Sequence, residues 1–181
     1  SRLFTYQELF QATVGFSTKL GEGGFGAVFR GTLPEMGVPH EIAVKRLDQD
    51  SSLGQAAGLS ARKQLANEVR VLSEVIHPNI VRLVGWSTDG PSPCLAYECC
   101  LLGCLEERLA VPTDCSTRLT SQERVTVLIG LAKGVVHLHS GLGNVTVIHG
   151  DICAANVLLR VAGGSPSQAA QLIRRQLASF I

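Results

Sequence analysis

Asp151 and Asn156 stand five positions apart in the stretch HGDICAANVLLRVAGG, residues 149–164, inside the frame H-x-D-x-x-x-x-N-x-L-L. That is the spacing of a phosphoryl-transfer catalytic loop. Together they are what phosphoryl transfer asks for, since that chemistry depends on placement and charge neutralisation. The plain alternative is a carboxylate that merely caps a turn; the surrounding frame argues against it.

Gly21, Gly23 and Gly26 in GEGGFGAV satisfy G-x-G-x-x-G, a spacing shared by two unrelated kinds of nucleotide site. In a dinucleotide fold the third glycine opens a helix. Here it is followed by the strand formers Ala27, Val28 and Phe29 and then by Gly31, so a β-hairpin is expected. Glycines without a Cβ let backbone N–H groups lie close over phosphate oxygens. On these residues alone, a glycine-rich turn that binds nothing is the competing reading. Lys45 follows in AVK, on a strand, 19 residues past Gly26. A strand lysine is usually a solvated charge. Glu68, in ANEVRVLSEVIHPNI on the next expected helix, changes this, because a carboxylate there could hold the ammonium against phosphate oxygens.

Bulk properties bound the rest. A chain of 181 residues with 45% apolar content is long enough for a hydrophobic core. With 16 basic and 15 acidic residues, net charge +1, it offers no broad field for nucleic acid or an anionic membrane, so no nucleic-acid partner is expected and binding must come from a local site. The six cysteines (Cys94, Cys99, Cys100, Cys104, Cys115, Cys153) lack paired C-x-x-C spacing and read as small hydrophobes or reduced thiols, which suits a reducing compartment. No stretch approaches ~18 uninterrupted apolar residues, and no basic-then-apolar leader opens the chain. The expectation is no transmembrane segment and a cytoplasmic location, or the cytoplasmic side of a membrane for a parent protein. The chain opens on Ser1 and its only methionine is Met36, so a longer product is expected.

These residues need elements to carry them. Thr5 and Glu8 make a T-x-x-E capping box for a helix ending near Gly15. From Lys19 to Arg46 the β-branched text, broken at Pro34 to Pro39, predicts three antiparallel strands. Residues 47–61 read as a loop, and Leu65, Val69, Leu72 and Val75 mark one face of a helix over 63–75. VRLVGWS and CLAYEC predict two more strands around the turn TDGPSP. Thr120 and Glu123 form a second capping box, before an apolar stripe of Val125, Leu128, Ile129, Ala132, Val135 and Val136 running to His139. After a Gly-Gly-Ser-Pro break, Ala169, Leu172, Ile173, Leu177 and Phe180 predict a terminal helix. Strands first and helices later indicate an α+β protein with two lobes.

In order along the chain, GEGGFGAV, AVK, Glu68 with HPNIV, LAYEC with GCLEERL, GLAKGVVHLH and HGDICAANVLL form a set that resembles the eukaryotic protein kinases. In detail it is similar to the plant receptor-like and interleukin-receptor-associated (Pelle-like) group. The resemblance runs from about Phe4 to Leu159, and FTYQELFQATVGFS resembles the lead-in of receptor-like kinases. It implies a bilobal α+β fold: a lead-in helix (1–18), an antiparallel β-sheet N-lobe with its helix and hinge (19–100), an incomplete helical C-lobe (101–160) and a divergent tail (161–181). It also implies ATP and Mg2+ as cofactors, a protein substrate, and transfer of the γ-phosphate to Ser/Thr hydroxyls. Lys45 and Glu68 would position phosphates under the glycine loop, Asp151 would be the base, and Asn156 would hold magnesium. Leu20, Val28 and Ala43 would roof the adenine slot and Leu158 would floor it, with Tyr97 as gatekeeper and the backbone of Glu98 and Cys100 on the adenine edge. For the apolar members, ordinary core packing is equally consistent with the letters.

The chain departs from this pattern in three places. Gly150 replaces the Arg that would receive a phosphorylated activation loop. Cys153 replaces a Lys that steadies the γ-phosphate, and a neutral thiol cannot supply that field. Asp151 is the last acidic residue, so neither D-F-G nor A-P-E follows. The expectation is a kinase domain cut after the catalytic loop, inactive by itself, with the stripe on residues 125–136 left exposed. A pseudokinase or interaction module is the rival reading. A dinucleotide-dependent oxidoreductase would need a helix directly after Gly26.

Overall fold

The computed structural model describes residues 1–23, 26–35, 38–47, 55–112, 118–140, 147–161 and 168–172. The chain divides into two compact units, Ser1–Ser73 with Arg82–Cys99, and Glu74–Val81 with Cys100–Ile181. No helix among the described residues is long and apolar enough to cross a membrane.

The first unit is built on a six-stranded sheet. Its strands are β1 (Arg2–Leu3), β2 (Lys19–Gly23), β3 (Gly26–Glu35), β4 (Val38–Arg46), β5 (Leu83–Ser87) and β6 (Cys94–Glu98), in the order β1-β5-β6-β4-β3-β2. All pairs are antiparallel except β1 with β5. The expected hairpin is present: Glu22 pairs with Ala27 and Gly23 with Gly26, and a strand leaves the third glycine. Successive side chains of a strand point to opposite faces. One parity of the sheet, Ala27, Phe29, Ile42, Val44, Cys94 and Ala96, forms a buried cluster with Phe4, Leu9 and Phe16 of the lead-in. The opposite parity carries Val28, Ala43, Lys45, Leu95 and Tyr97, with Val28 across from Lys45 and Ala43 across from Tyr97.

The lead-in is docked into the sheet. Its helix α1 (Tyr6–Ala12) has the expected capping box, Thr5 Oγ1 accepting from the N–H of Glu8 while the Glu8 carboxylate accepts from the N–H of Thr5. Asp89 adds a second acceptor, taking the N–H of Tyr6 at 2.7 Å. The sequence did not reveal β1, a two-residue strand too short to carry a period. Two glycines make room for this segment. A Cβ on Gly85 would lie 2.1 Å from the carbonyl oxygen of Arg2 and 2.5 Å from the Phe4 ring, and one on Gly90 would lie 2.2 Å from the Tyr6 ring. Behind α1 the chain turns through Val14, Gly15 and Phe16 with φ of 51°, 70° and 58°. Left-handed backbone suits Gly15 but crowds the Cβ of the other two.

Two expectations are corrected here. The helix placed at 63–75 is α2 (Gln55–Leu72), so residues 55–61 of the expected loop are helical and the helix stops before Val75. The small residues there include Ala56, Ala57 and Ala61, and alanine is the strongest helix former, so smallness was misread as flexibility. The buried line of α2 is Ala61, Leu65, Glu68 and Leu72, at i, i+4, i+7 and i+11; a carboxylate sits in the apolar stripe.

The second unit has helices α3 (Leu105–Leu109) and α4 (Ser121–His139), a 3-10 turn at Ala154–Asn156, and a hairpin of β7 (Val157–Val161) with β8 (Gln168–Leu172). The capping box of Thr120 and Glu123 opens α4 as expected. The predicted terminal helix is the second correction: its first part is β8, antiparallel to β7 with Val157 paired to Leu172, and residues 173–181 lie outside the described residues. The apolar residues at 169, 170 and 172 fit both periods over so short a stretch, and pairing with β7 decides between them. On α4 the buried line is Val127, Gly130, Gly134 and Leu138. The predicted stripe lies opposite, with Val125 48%, Leu128 60%, Ile129 50% and Val136 62% exposed, as expected. Among the described residues Cys94, Cys99, Cys104 and Cys153 are free thiols, and no group of three His, Cys, Asp or Glu residues could hold a metal.

Two substitutions test this account of the lead-in. Val14→Asn, which suits left-handed backbone, is expected to raise the unfolding free energy by about 1 kcal/mol in urea titration. Gly85→Ala is expected to lower it by about 1–3 kcal/mol and to increase amide exchange at Phe4, because the added methyl overlaps the lead-in.

Candidate active site

Strand parity places Lys45 and Tyr97 on the same side of the sheet, on the neighbouring strands β4 and β6, and α2 brings Glu68 to both. Lys45 Nζ donates to Glu68 Oε1 at 3.1 Å, and Tyr97 Oη donates to Glu68 Oε2 at 2.7 Å. Glu68 is fully buried, Lys45 is 9% exposed and Tyr97 6%. An unpaired carboxylate in such a place would be expensive; here each oxygen receives a donor, one of them cationic. Burial, reinforced by the adjacent carboxylate, pushes the Tyr97 phenol well above its ordinary range, so it stays protonated and keeps donating. The pairing of Lys45 with Glu68 is the one the sequence pointed to. The hydroxyl bond from Tyr97 it did not reveal, although the parity of AVK and LAYE would have put both donors on one face had the register been known.

Around this cluster, Val28 and Ala43 are half-buried on the Lys45 face, and Leu20 on β2 is 50% exposed. Gly23 and Gly26 face each other across the hairpin, with Gly26 at φ 124°, where a side chain would be strained. Gly21 differs: a Cβ built on it meets nothing within 4 Å, and its φ is ordinary, so neither packing nor backbone conformation requires a glycine there. Glu98 ends β6, its N–H donating to the carbonyl of Arg82 at 3.1 Å. Burial raises the thiol pKa of Cys99, and that of Cys94 up to about 12, so both are protonated at neutral pH.

In the second unit the loop before β7 assembles the other predicted pair. Asn156, 1% exposed, donates through Nδ2 to the Asp151 carboxylate at 2.8 Å and to the Asp151 carbonyl at 2.8 Å. Its Oδ1 is buried with no hydrogen-bond partner among the described residues. Asp151 itself is exposed, and its N–H donates to Nδ1 of His149, a buried ring at 1% exposure. This support by His149 was missed, though the H-x-D spacing signalled it. Cys153 is exposed and starts the 3-10 turn, its carbonyl accepting from the N–H of Asn156 at 3.0 Å. Leu158 is half-buried on β7 and bridges to Cys104, while the carbonyl of Cys100 accepts from the N–H of Gly103 at 3.4 Å.

Residues 14–165 match the family model described as protein tyrosine and serine/threonine kinase. The chain is 39% identical over 157 residues to the Pelle-like serine/threonine-protein kinase pik-1 of Caenorhabditis elegans, covering 86% of this chain and 32% of that protein. Against the probable L-type lectin-domain containing receptor kinase V.3 of Arabidopsis thaliana it is 40% identical, covering 86% of this chain and 22% of the relative. With the serine/threonine-protein kinase PBL27 of the same plant the identity is 39%, over 88% of this chain and 29% of the relative. The chain thus spans a third or less of the length of these relatives. The six ordered motifs, the glycine hairpin and the buried lysine–glutamate pair agree with these matches: the chain belongs to the protein tyrosine and serine/threonine kinase family.

Proposed function

We propose that this chain is the nucleotide-binding part of a protein serine/threonine kinase, whose whole protein transfers the γ-phosphate of ATP to a Ser or Thr hydroxyl of a protein substrate. The observation that carries this reading is the buried Lys45–Glu68 pair at 3.1 Å. Glu68 holds the ammonium in place, and the ammonium stabilises the α- and β-phosphates. The open space over Gly21 supports a role for the glycine hairpin in taking phosphate oxygens onto backbone N–H groups. Within the first unit, Leu20, Val28 and Ala43 would cover the adenine, with the backbone of Glu98 on its edge and Tyr97 behind it; the resemblance assigns the remaining adenine contacts to Cys100 and Leu158 of the second unit.

In the transfer step, the substrate hydroxyl oxygen bonds to the γ-phosphorus, the bridging bond to the β-phosphate breaks, ADP leaves, and Asp151 accepts the hydroxyl proton. The orphaned Oδ1 of Asn156 is a hard oxygen donor of the kind that Mg2+ takes. When bound, Mg2+ supplies charge neutralisation on the phosphates. Asn156 would hold it, with its own amide fixed by the hydrogen bond to Asp151.

A second reading is favoured by two observations. Cys153 supplies no positive charge beside Asp151, and residues 152–181 carry no carboxylate. On that reading the chain binds nucleotide without transferring phosphate, or serves as a docking module.

Titration of the folded chain with ATP, with and without Mg2+, is expected to show saturable binding strengthened by the metal. Lys45→Ala, checked for fold by circular dichroism, is expected to weaken binding at least about tenfold, equivalent to ~1.4 kcal/mol. No binding to folded wild-type chain would favour the docking module. Tyr97→Phe removes one bond to a charged acceptor and is expected to cost about 1.5–3 kcal/mol in urea unfolding, with weaker ATP binding as Glu68 is freed to turn from Lys45.

A further inference from the structure

The nucleotide chemistry leaves a pair of histidines in the second unit without a role. His77 lies in residues 74–81, the segment that joins α2 to β5 in sequence. Its ring stacks on His137 of α4 with centroids 4.7 Å apart and planes 22° from parallel. Nδ1 of His77 accepts the N–H of Asn79 at 3.1 Å, which selects the neutral tautomer with its proton on Nε2. Nε2 of His137 is buried with no hydrogen-bond partner among the described residues. The segment also rests on the helix backbone: a Cβ on Gly134 would come 2.9 Å from the carbonyl oxygen of Asn79. Val75, Ile80 and Val81 of the segment are buried.

The charges that act on His77 come from α4 and are cationic or able to become so, namely Lys133 and His137. No carboxylate is among them. Glu74, the one acidic residue of the segment, is exposed.

We propose that this stack is an acid-sensitive latch: a neutral His77 holds segment 74–81 against α4, and its protonation releases it. The docked arrangement disfavours a proton on His77 in three ways. The ring is partly desolvated, its Nδ1 is already an acceptor, and the nearest charges are of like sign. Burial first, then His137 and Lys133, hold its pKa below the ordinary 6.5. The released segment therefore binds more protons than the docked one. The stabilisation is complete above the ordinary imidazole range and is lost as pH falls through the depressed value. The latch stands independently of the nucleotide reading.

Imidazole proton NMR and amide hydrogen exchange of the whole chain between pH 7.5 and 5 test it. His77 is expected to titrate below the range of a free imidazole, and protection of residues 75–81, corrected for the intrinsic pH dependence of exchange, to fall several-fold through that titration. In a Lys133→Met/His137→Phe double variant, which removes both facing charges, the fall is expected to flatten. A His77 that titrates at or above the ordinary value, or protection that stays constant through its titration, overturns the proposal. Should the double variant fail to fold, the wild-type titration and exchange decide the matter alone.

Discussion

A carboxylate fully removed from water organises the first unit. Glu68 stands in the apolar stripe of α2 at a position where a leucine would satisfy the helix period, and Lys45 and Tyr97 offset its burial by meeting its two oxygens. That requirement reaches outward. The donors must come from adjacent strands at matching parity, so the register of β4 with β6 is fixed by chemistry as well as by the buried residues on the other face. α2 must then lie with its Glu68 turn over those strands. Hydrophobic residues of similar size could hold the helix as tightly; the polar cluster adds a unique placement for the ammonium.

Much of this was legible in the letters because several independent rules agreed. Both capping boxes were readable from four residues each, since the reciprocal hydrogen bonds are local. The hairpin after the glycines followed from β-branched residues standing where a helix would have needed helix formers. The fate of residues 168–172 was not legible, because their strand character exists only through pairing with β7. The start of α2 was lost for a different reason: alanine, glycine and serine are common to loops and helices, and neighbouring polar residues tipped the reading towards loop. The bond from Tyr97 to Glu68 joins residues 29 apart in sequence, a contact with no local signal.

The loop holding Asp151 and Asn156 is kept in shape by bonds in which the side chain at position 153 has no share. The internal bonds of the loop, His149 to Asp151 and Asp151 to Asn156, are all present. Cys153 takes no side-chain part in them and faces solvent. Its identity is therefore free to vary without disturbing those bonds.

The lead-in carries a practical consequence for where the domain begins. The family pattern starts at residue 14, yet Phe4 at 2% exposure and Leu9 at 0% already belong to the apolar cluster that includes Phe29 of β3 and Val44 of β4. Cutting the polypeptide at the edge of the recognised pattern would strip one wall from that cluster, bare the backbone of β5, and leave Gly85 and Gly90 as empty hollows. In this protein the boundary set by shared sequence and the boundary set by cohesion lie a whole helix apart.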